Sequence, residues 1–124
     1  MKNILVIDDS PTIRMAVEFA IKSFGFEVVQ ADNGISGLDK ISEIKNSGNE
    51  IALCVTDINM PKMDGISFIK EFRKTDKFTP VLVLTTDSEN EKIKEGKDAG
   101  ASAWIIKPFT PAEFTDVVQK LIKI

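Results

Sequence analysis

Four apolar runs, Ile4–Ile7 ("ILVI"), Ile51–Val55 ("IALCV"), Val81–Leu84 ("VLVL") and Ala103–Ile106 ("AWII"), constrain this chain more than any other feature. Each is too short for a helix and none alternates with polar residues. Branched residues packed into such brief runs suit strands of a parallel sheet, covered on both faces. A fifth run, "FEVVQA" (26–31), is more polar and reads as a strand at the edge of the sheet. One of the four poses a question of its own. The run 51–55 drives into Thr56-Asp57 and then a proline-broken loop, and a carboxylate at the end of a buried strand costs free energy to desolvate.

Between the runs lie segments with helical spacing. Ile13, Val17, Ala20 and Phe24 form one stripe, opened by Ser10 as N-cap and Pro11 in the first turn and stopped at Gly25. Ile35, Leu38 and Ile41 form a second stripe, closed by "NSGNE". Ile66, Ile69 and Phe72 form a third after "MDG", and Phe114, Val117, Val118 and Leu121 a fourth after "FTPAE". Segment 89–98, "ENEKIKEGKD", offers only Ile93 as a strong apolar residue and carries Gly96 inside the helix. That glycine costs about 1 kcal/mol relative to alanine, so the helix is weakly anchored. A solvated surface helix and a helix that shifts with the state of the protein both fit.

Strands alternating with helices give an α/β domain with helices on both faces of a parallel sheet. Right-handed crossovers leave few topologies. The flavodoxin-like doubly wound order 2-1-3-4-5 fits best, because it places the polar second strand at an edge. A chain of 124 residues suits a single domain, 1–124, that buries roughly two-thirds of its unfolded surface.

Composition removes several function classes. The net charge of −3, from 16 basic and 19 acidic residues with no basic stripe, gives no electrostatic case for nucleic acid. No segment approaches the roughly 20 apolar residues of a membrane helix, and the start "MKNILVIDDS" is no signal peptide. The single cysteine, Cys54, lies inside an apolar run and reads as a small core residue in a reducing, cytoplasmic setting. With no histidine, the chain lacks the usual proton shuttle, the commonest metal ligand and any Ser-His or Cys-His pair. Its chemistry must rest on carboxylates, lysines and hydroxyls.

In such a sheet, functional residues gather at the carboxyl ends of strands near the point where strand order reverses. Those ends read Asp8-Asp9, Asp57, Thr85-Thr86 and Lys107-Pro108. Two carboxylates 4 Å apart repel by about 4 kcal/mol at an effective dielectric of about 20, so three on one rim require positive charge. Lys107 supplies one unit, and a hard divalent cation bound through oxygen, Mg²⁺ above all, supplies the rest. A rim without histidine or thiol argues against zinc or copper.

"VIDDS", "VTDINMPKMDG", "VLTTDSE" and "AWIIKPF", in this order over nearly the whole chain, resemble the four signatures of the receiver domain of two-component response regulators, most of all its stand-alone chemotaxis members. The resemblance implies that Asp57 is the phosphoacceptor, attacking a phosphohistidine on a partner histidine kinase. It implies that Asp8 and Asp9 hold Mg²⁺ together with Asp57 and the backbone carbonyl of Asn59. Thr85 would hydrogen-bond the phosphoryl oxygens and Lys107 would pair with them. Phosphoryl transfer needs in-line positioning and neutralised oxygens more than covalent help, so this set has physical sense.

Two positions that tune phosphate lifetime in the family are Asn59 and Asp87 here, the latter one methylene shorter than the glutamate common in close relatives. Trp104 occupies the place of an aromatic that turns inward as the threonine moves; a partly buried core aromatic is its plainer reading. The implied protein is a monomeric phosphorylation switch that catalyses only its own aspartyl phosphorylation and dephosphorylation. Its surface 89–123 would change affinity for a downstream target. With no effector domain after Ile124, output passes through another protein, by resemblance a flagellar motor switch component, and an auxiliary phosphatase would find its place beside it.

Taken singly, Asp9 could be a helix-capping acid, and Asp64-Gly65 is a turn and a helix start. A phosphorelay intermediate, passing phosphate to a histidine phosphotransfer protein, would carry the same core site. An aspartate phosphatase of the haloacid dehalogenase type needs a second acid two residues after its nucleophile on the first strand, where this chain has Ser10. An FMN carrier on the same fold would meet repulsion from Asp8 and Asp9 at its phosphate loop.

Overall fold

The computed structural model describes residues 2–122. Strands and helices alternate in the order β1 (Lys2–Ile7), α1 (Pro11–Lys22), β2 (Glu27–Ala31), α2 (Gly34–Asn46), β3 (Glu50–Thr56), α3 (Gly65–Arg73), β4 (Val81–Thr85), α4 (Asn90–Ala99), β5 (Ala103–Ile106) and α5 (Pro111–Ile122). The strands form one parallel sheet in the order β2-β1-β3-β4-β5, the flavodoxin-like arrangement read from the sequence, with polar β2 at an edge.

The short apolar runs sort their side chains onto two faces. Leu5, Ile7, Cys54, Val81 and Val83 pack with Ile41 of α2 and with Phe68, Ile69 and Phe72 of α3. Ile4, Val6, Leu53, Val55, Leu82 and Leu84 pack on the opposite face with Val17 and Ile21 of α1 and Phe114 and Val118 of α5. Burial on both faces is why these strands need no alternation. The chain leaves β1 through α1 on one face and leaves β2 through α2 on the other. That reversal opens a crevice at the carboxyl ends of β1 and β3.

The N-terminus of α1 follows its capping signal: Ser10 Oγ accepts a bond from the Ile13 amide at 3.3 Å, with Pro11 opening the helix. In α3, Ile66, Ile69 and Phe72 are all buried. The stripe expected for α2 is rotated, however. Ile35 is 46% exposed, and the buried face is Gly34, Gly37, Ile41 and Ile44. The cause is close approach, since Gly34 N–H donates to the Met63 carbonyl and Gly37 lies directly against Ile7 and Phe68. No helix among the described residues is long and apolar enough to cross a membrane.

Candidate functional site

The sheet ladder itself places the acids side by side. Past the end of β1, Asp8 N–H donates to the Ala31 carbonyl at 3.0 Å; past the end of β3, Asp57 N–H donates to the Ile7 carbonyl at 3.0 Å. One carboxylate oxygen from each of Asp8, Asp9 and Asp57 lies within 4.8 Å of the others. Asp8 and Asp57 are buried, while Asp9 is exposed at the mouth.

Lys107 reaches this cluster from the far edge. Its backbone N–H bonds the Thr85 carbonyl at 2.8 Å, extending the β4–β5 pairing, and the Lys107-Pro108 peptide is cis. The ammonium donates to Asp8 Oδ2 at 2.8 Å and to Asp57 Oδ2 at 3.3 Å. Burial pushes the Asp8 carboxyl above its ordinary pKa of 3.8. The bonds from Lys107 and from the Ser10 amide pull it back, and the Asp57 charge adds to the rise.

The other oxygen of Asp57 is also committed: Oδ1 accepts the Ile58 amide at 2.6 Å. The loop after β3 is held from behind by α3. Asp64 caps that helix through the Ser67 amide at 2.7 Å, and Gly65 N–H donates to the Ile58 carbonyl at 2.8 Å. A β-carbon on Gly65 would stand 1.9 Å from the Asp57 carbonyl oxygen, so only glycine permits this approach. The structural reading of Asp64-Gly65 therefore stands, with the added role of fixing Asp57.

The remaining residues named from the sequence lie around this core. Asn59 is exposed in the loop after β3. Thr85, fully buried at the end of β4, accepts the Asp87 amide on its hydroxyl oxygen at 3.2 Å. The Asp87 carboxylate turns into its own loop, accepting the Glu89 amide at 3.1 Å. Trp104 is half-buried, and its indole N–H donates to the Asp87 carbonyl at 3.3 Å. The structure thus joins Asp8, Asp9, Asp57 and Lys107 directly, and forms Thr85, Asp87 and Trp104 into an adjoining chain of contacts. Of the surface 89–123, residue 123 lies outside the described residues.

Arg14 belongs to the site's support and was not singled out in the sequence. Its guanidinium donates to the Asp8 carbonyl and to Gln30 Oε1, and Gln30 in turn donates to Glu18. The only signal for it was its place six residues after Asp8, one turn into α1.

Chemically, three carboxylates and one ammonium leave a charge of −2 when all are ionised, presented entirely by oxygen. That donor set fits a hard divalent cation such as Mg²⁺.

A family model described as the response regulator receiver domain matches residues 4–119. Chemotaxis protein CheY-3 of Vibrio cholerae is 34% identical over 123 residues, covering 97% of this chain and 91% of that protein. Sensor histidine kinase CheAY of Helicobacter pylori is 34% identical over 123 residues, covering 98% of this chain but 15% of the kinase. Among solved structures, the chemotaxis protein CheY4 of Vibrio cholerae superposes with a TM-score of 0.87 at 36% identity, covering 98% of each chain.

Proposed function

The chain belongs to the response regulator receiver family, and from that premise we propose that residues 1–124 form one receiver domain switched by phosphorylation of Asp57. The relatives described above include chemotaxis proteins of the CheY type and a sensor histidine kinase, and in this reading the chain acts as a signalling protein without outside substrates. The observation that carries the proposal is the acid cluster Asp8, Asp9 and Asp57, with Lys107 bridging Asp8 and Asp57.

Asp57, its Oδ1 held by the Ile58 amide, attacks the phosphorus of a donor phosphohistidine through a carboxylate oxygen. The P–O bond forms as the P–N bond breaks, and the imidazole leaves with the bonding pair. Lys107 follows the charge from the carboxylate to the new phosphoryl oxygens. Thr85 exchanges its bond from the Asp87 amide for one donated to a phosphoryl oxygen. Asp8, Asp9, Asp57 and the Asn59 carbonyl would hold Mg²⁺, which when bound neutralises carboxylate and phosphoryl oxygens. Asn59 and Asp87 would tune the lifetime of the acyl phosphate, with Asp87 first leaving the Glu89 amide that its carboxylate accepts here. The chain acts catalytically only on its own aspartyl phosphate, with an auxiliary phosphatase as an optional partner.

A histidine kinase is the donor in this reading. The absence of histidine in the chain supports it, as does the matching stretch within a sensor histidine kinase. An apolar groove lined by Ile13, Ala16, Phe109 and Lys107 borders the rim and offers the donor a place to rest. Output runs through the 89–123 surface of a cytoplasmic monomer to a chemotaxis target, a flagellar motor switch component.

Intact-mass spectrometry after incubation with acetyl phosphate tests the acceptor chemistry. One added phosphoryl group, dependent on Mg²⁺ and lost in Asp57→Asn, is expected. No adduct under any condition would sink the switch and leave a binding module in receiver form. Passage of the phosphoryl group from Asp57 to a histidine phosphotransfer protein would place the chain in a relay instead.

A further inference from the structure

α4 is held to the molecule in an unusual way. It contributes no fully buried apolar side chain, and the one buried residue along it is Gly96. Its N-terminus at Glu89 has no side-chain cap bond. Its C-terminus is pinned, because Arg73 donates to the Gly100 carbonyl from Nε at 3.1 Å and from Nη2 at 2.9 Å. The helix is thus fixed at one end and loosely held at the other.

Trp104 spans the loose part. The edge of its six-membered ring lies on Gly96: a β-carbon there would come within 2.4 Å of Cζ3 and 3.2 Å of Cε3. The same indole donates its N–H to the Asp87 carbonyl, in the connection that leads into α4. That connection is tied to Thr85, whose hydroxyl accepts the Asp87 amide. One side chain therefore grips the middle of the helix and the segment leading to its start.

We propose that Gly96 is a notch fitted to Trp104, and that the pair forms a clamp holding α4 and the 85–89 connection together before any phosphoryl group arrives. Glycine is a poor helix former, so its presence at the buried position is accounted for by the ring it admits rather than by the helix. What opens the clamp rests on the acceptor reading above: when Thr85 turns to the phosphoryl group, the Asp87 amide is released and the indole loses a fixed partner. The clamp itself does not depend on that reading.

The test is hydrogen exchange of segment 87–99 by mass spectrometry, with indole emission alongside, on unphosphorylated, Mg²⁺-free protein. Helix propensity alone makes Gly96→Ala slow exchange in this segment, by about fivefold. The clamp requires the reverse: Gly96→Ala expels the indole, shifts its emission to the red and speeds exchange about tenfold. In the Trp104→Phe background the smaller ring leaves room for the methyl group, so the same substitution slows exchange. That reversal of sign is the signature of a fitted pair, and it is read from the difference between backgrounds even where Gly96→Ala alone folds poorly. Slower exchange and unshifted emission in Gly96→Ala would overturn the notch.

A second arm uses acetyl phosphate with Mg²⁺ and weighs the adduct separately. Faster exchange at 87–99 in phosphorylated wild-type protein, with no further gain in Gly96→Ala, is expected. An adduct with unchanged exchange overturns the opening of the clamp and leaves Asp57 as acceptor. No adduct overturns the acceptor reading and with it the proposed trigger, while the unphosphorylated cycle still decides the notch.

Discussion

Replacing Lys107 with methionine keeps an unbranched side chain of similar length and removes the charge that bridges the rim. At an effective dielectric of about 20, the ammonium attracts the Asp8 carboxylate by about 6 kcal/mol at 2.8 Å and that of Asp57 by about 5 kcal/mol at 3.3 Å. Those gross attractions offset the desolvation of three side chains that are only 13%, 3% and 11% exposed. Removing one partner of a buried pair costs about 3–5 kcal/mol, and the partial exposure of Lys107 and Asp57 points to the lower end. A loss of about 3 kcal/mol is a large share of a typical folding stability of about 5–15 kcal/mol. Urea unfolding followed through the single tryptophan should show a lower midpoint at neutral pH, in chelator, with an unchanged slope.

The pH dependence separates charge from packing. Burial already raises the folded-state pKa of Asp8 above 3.8, and Lys107 is the chief group restraining it. Without Lys107 the folded protein takes up a proton at still higher pH, while the unfolded chain does not. A group with a raised folded pKa contributes stability below its unfolded value and loses it as pH rises through the folded value. The deficit of Lys107→Met is therefore full at neutral pH and closes on acidification through the range above 3.8. Mg²⁺ at 100 times its dissociation constant should restore about 2.7 kcal/mol. A variant as stable as wild type at neutral pH without Mg²⁺ would refute the charge argument. A deficit independent of pH would assign it to the packing of the lysine stem.

Asp8→Asn removes one of the crowded carboxylates and should raise the urea midpoint at neutral pH. The gain shrinks as pH falls through the raised range of Asp8, above 3.8. Gly65→Ala forces a methyl group against the Asp57 carbonyl and should cost about 3 kcal/mol in urea unfolding. It should also slow adduct formation from acetyl phosphate, because the acceptor loop must shift. Burial pushes the Cys54 thiol up to about 12, so alkylation by iodoacetamide should follow the urea unfolding curve and be absent from the native protein.

Strand positions were legible because parallel strands buried on both faces have a signature that composition alone carries, and the polar 26–31 segment marked its own edge. The acids were legible for a related reason: a charged residue that ends an apolar run stands out against the cost of burying it. The face of α2 was not legible. A stripe of large side chains assumes that bulk decides the contact, whereas here Gly34 and Gly37 decide it by letting the helix approach Met63, Ile7 and Phe68. Trp104 was visible as an aromatic on a short strand, but its partner was not. Gly96 appeared only as a defect in a weak helix, since helical and strand periodicity say nothing about the ring that will lie on a glycine.

The placement of Lys107 bears on how such a site can be both stable and switchable. The bond from Lys107 to Asp8 joins residues 99 apart in sequence, so the charge balance of the rim exists only once β1, β3 and β5 are all in place. The chemistry proposed at Asp57 is thereby tied to central strands buried on both faces, where opening is rare. α4 stands outside this arrangement: it supplies none of Asp8, Asp9, Asp57 and Lys107, and buries only Gly96. It can therefore move without separating the acids from their lysine. Thr85 belongs to both regions, buried in β4 beside the rim and bonded through its hydroxyl to the connection that enters α4. On the proposed reading, a signal passing from the rim to α4 would run through Thr85 and the Asp87 amide that it holds. A Thr85→Ala variant should therefore still accept phosphate on Asp57 while its α4 no longer responds, and intact mass and exchange at 87–99 on one sample would expose either failure.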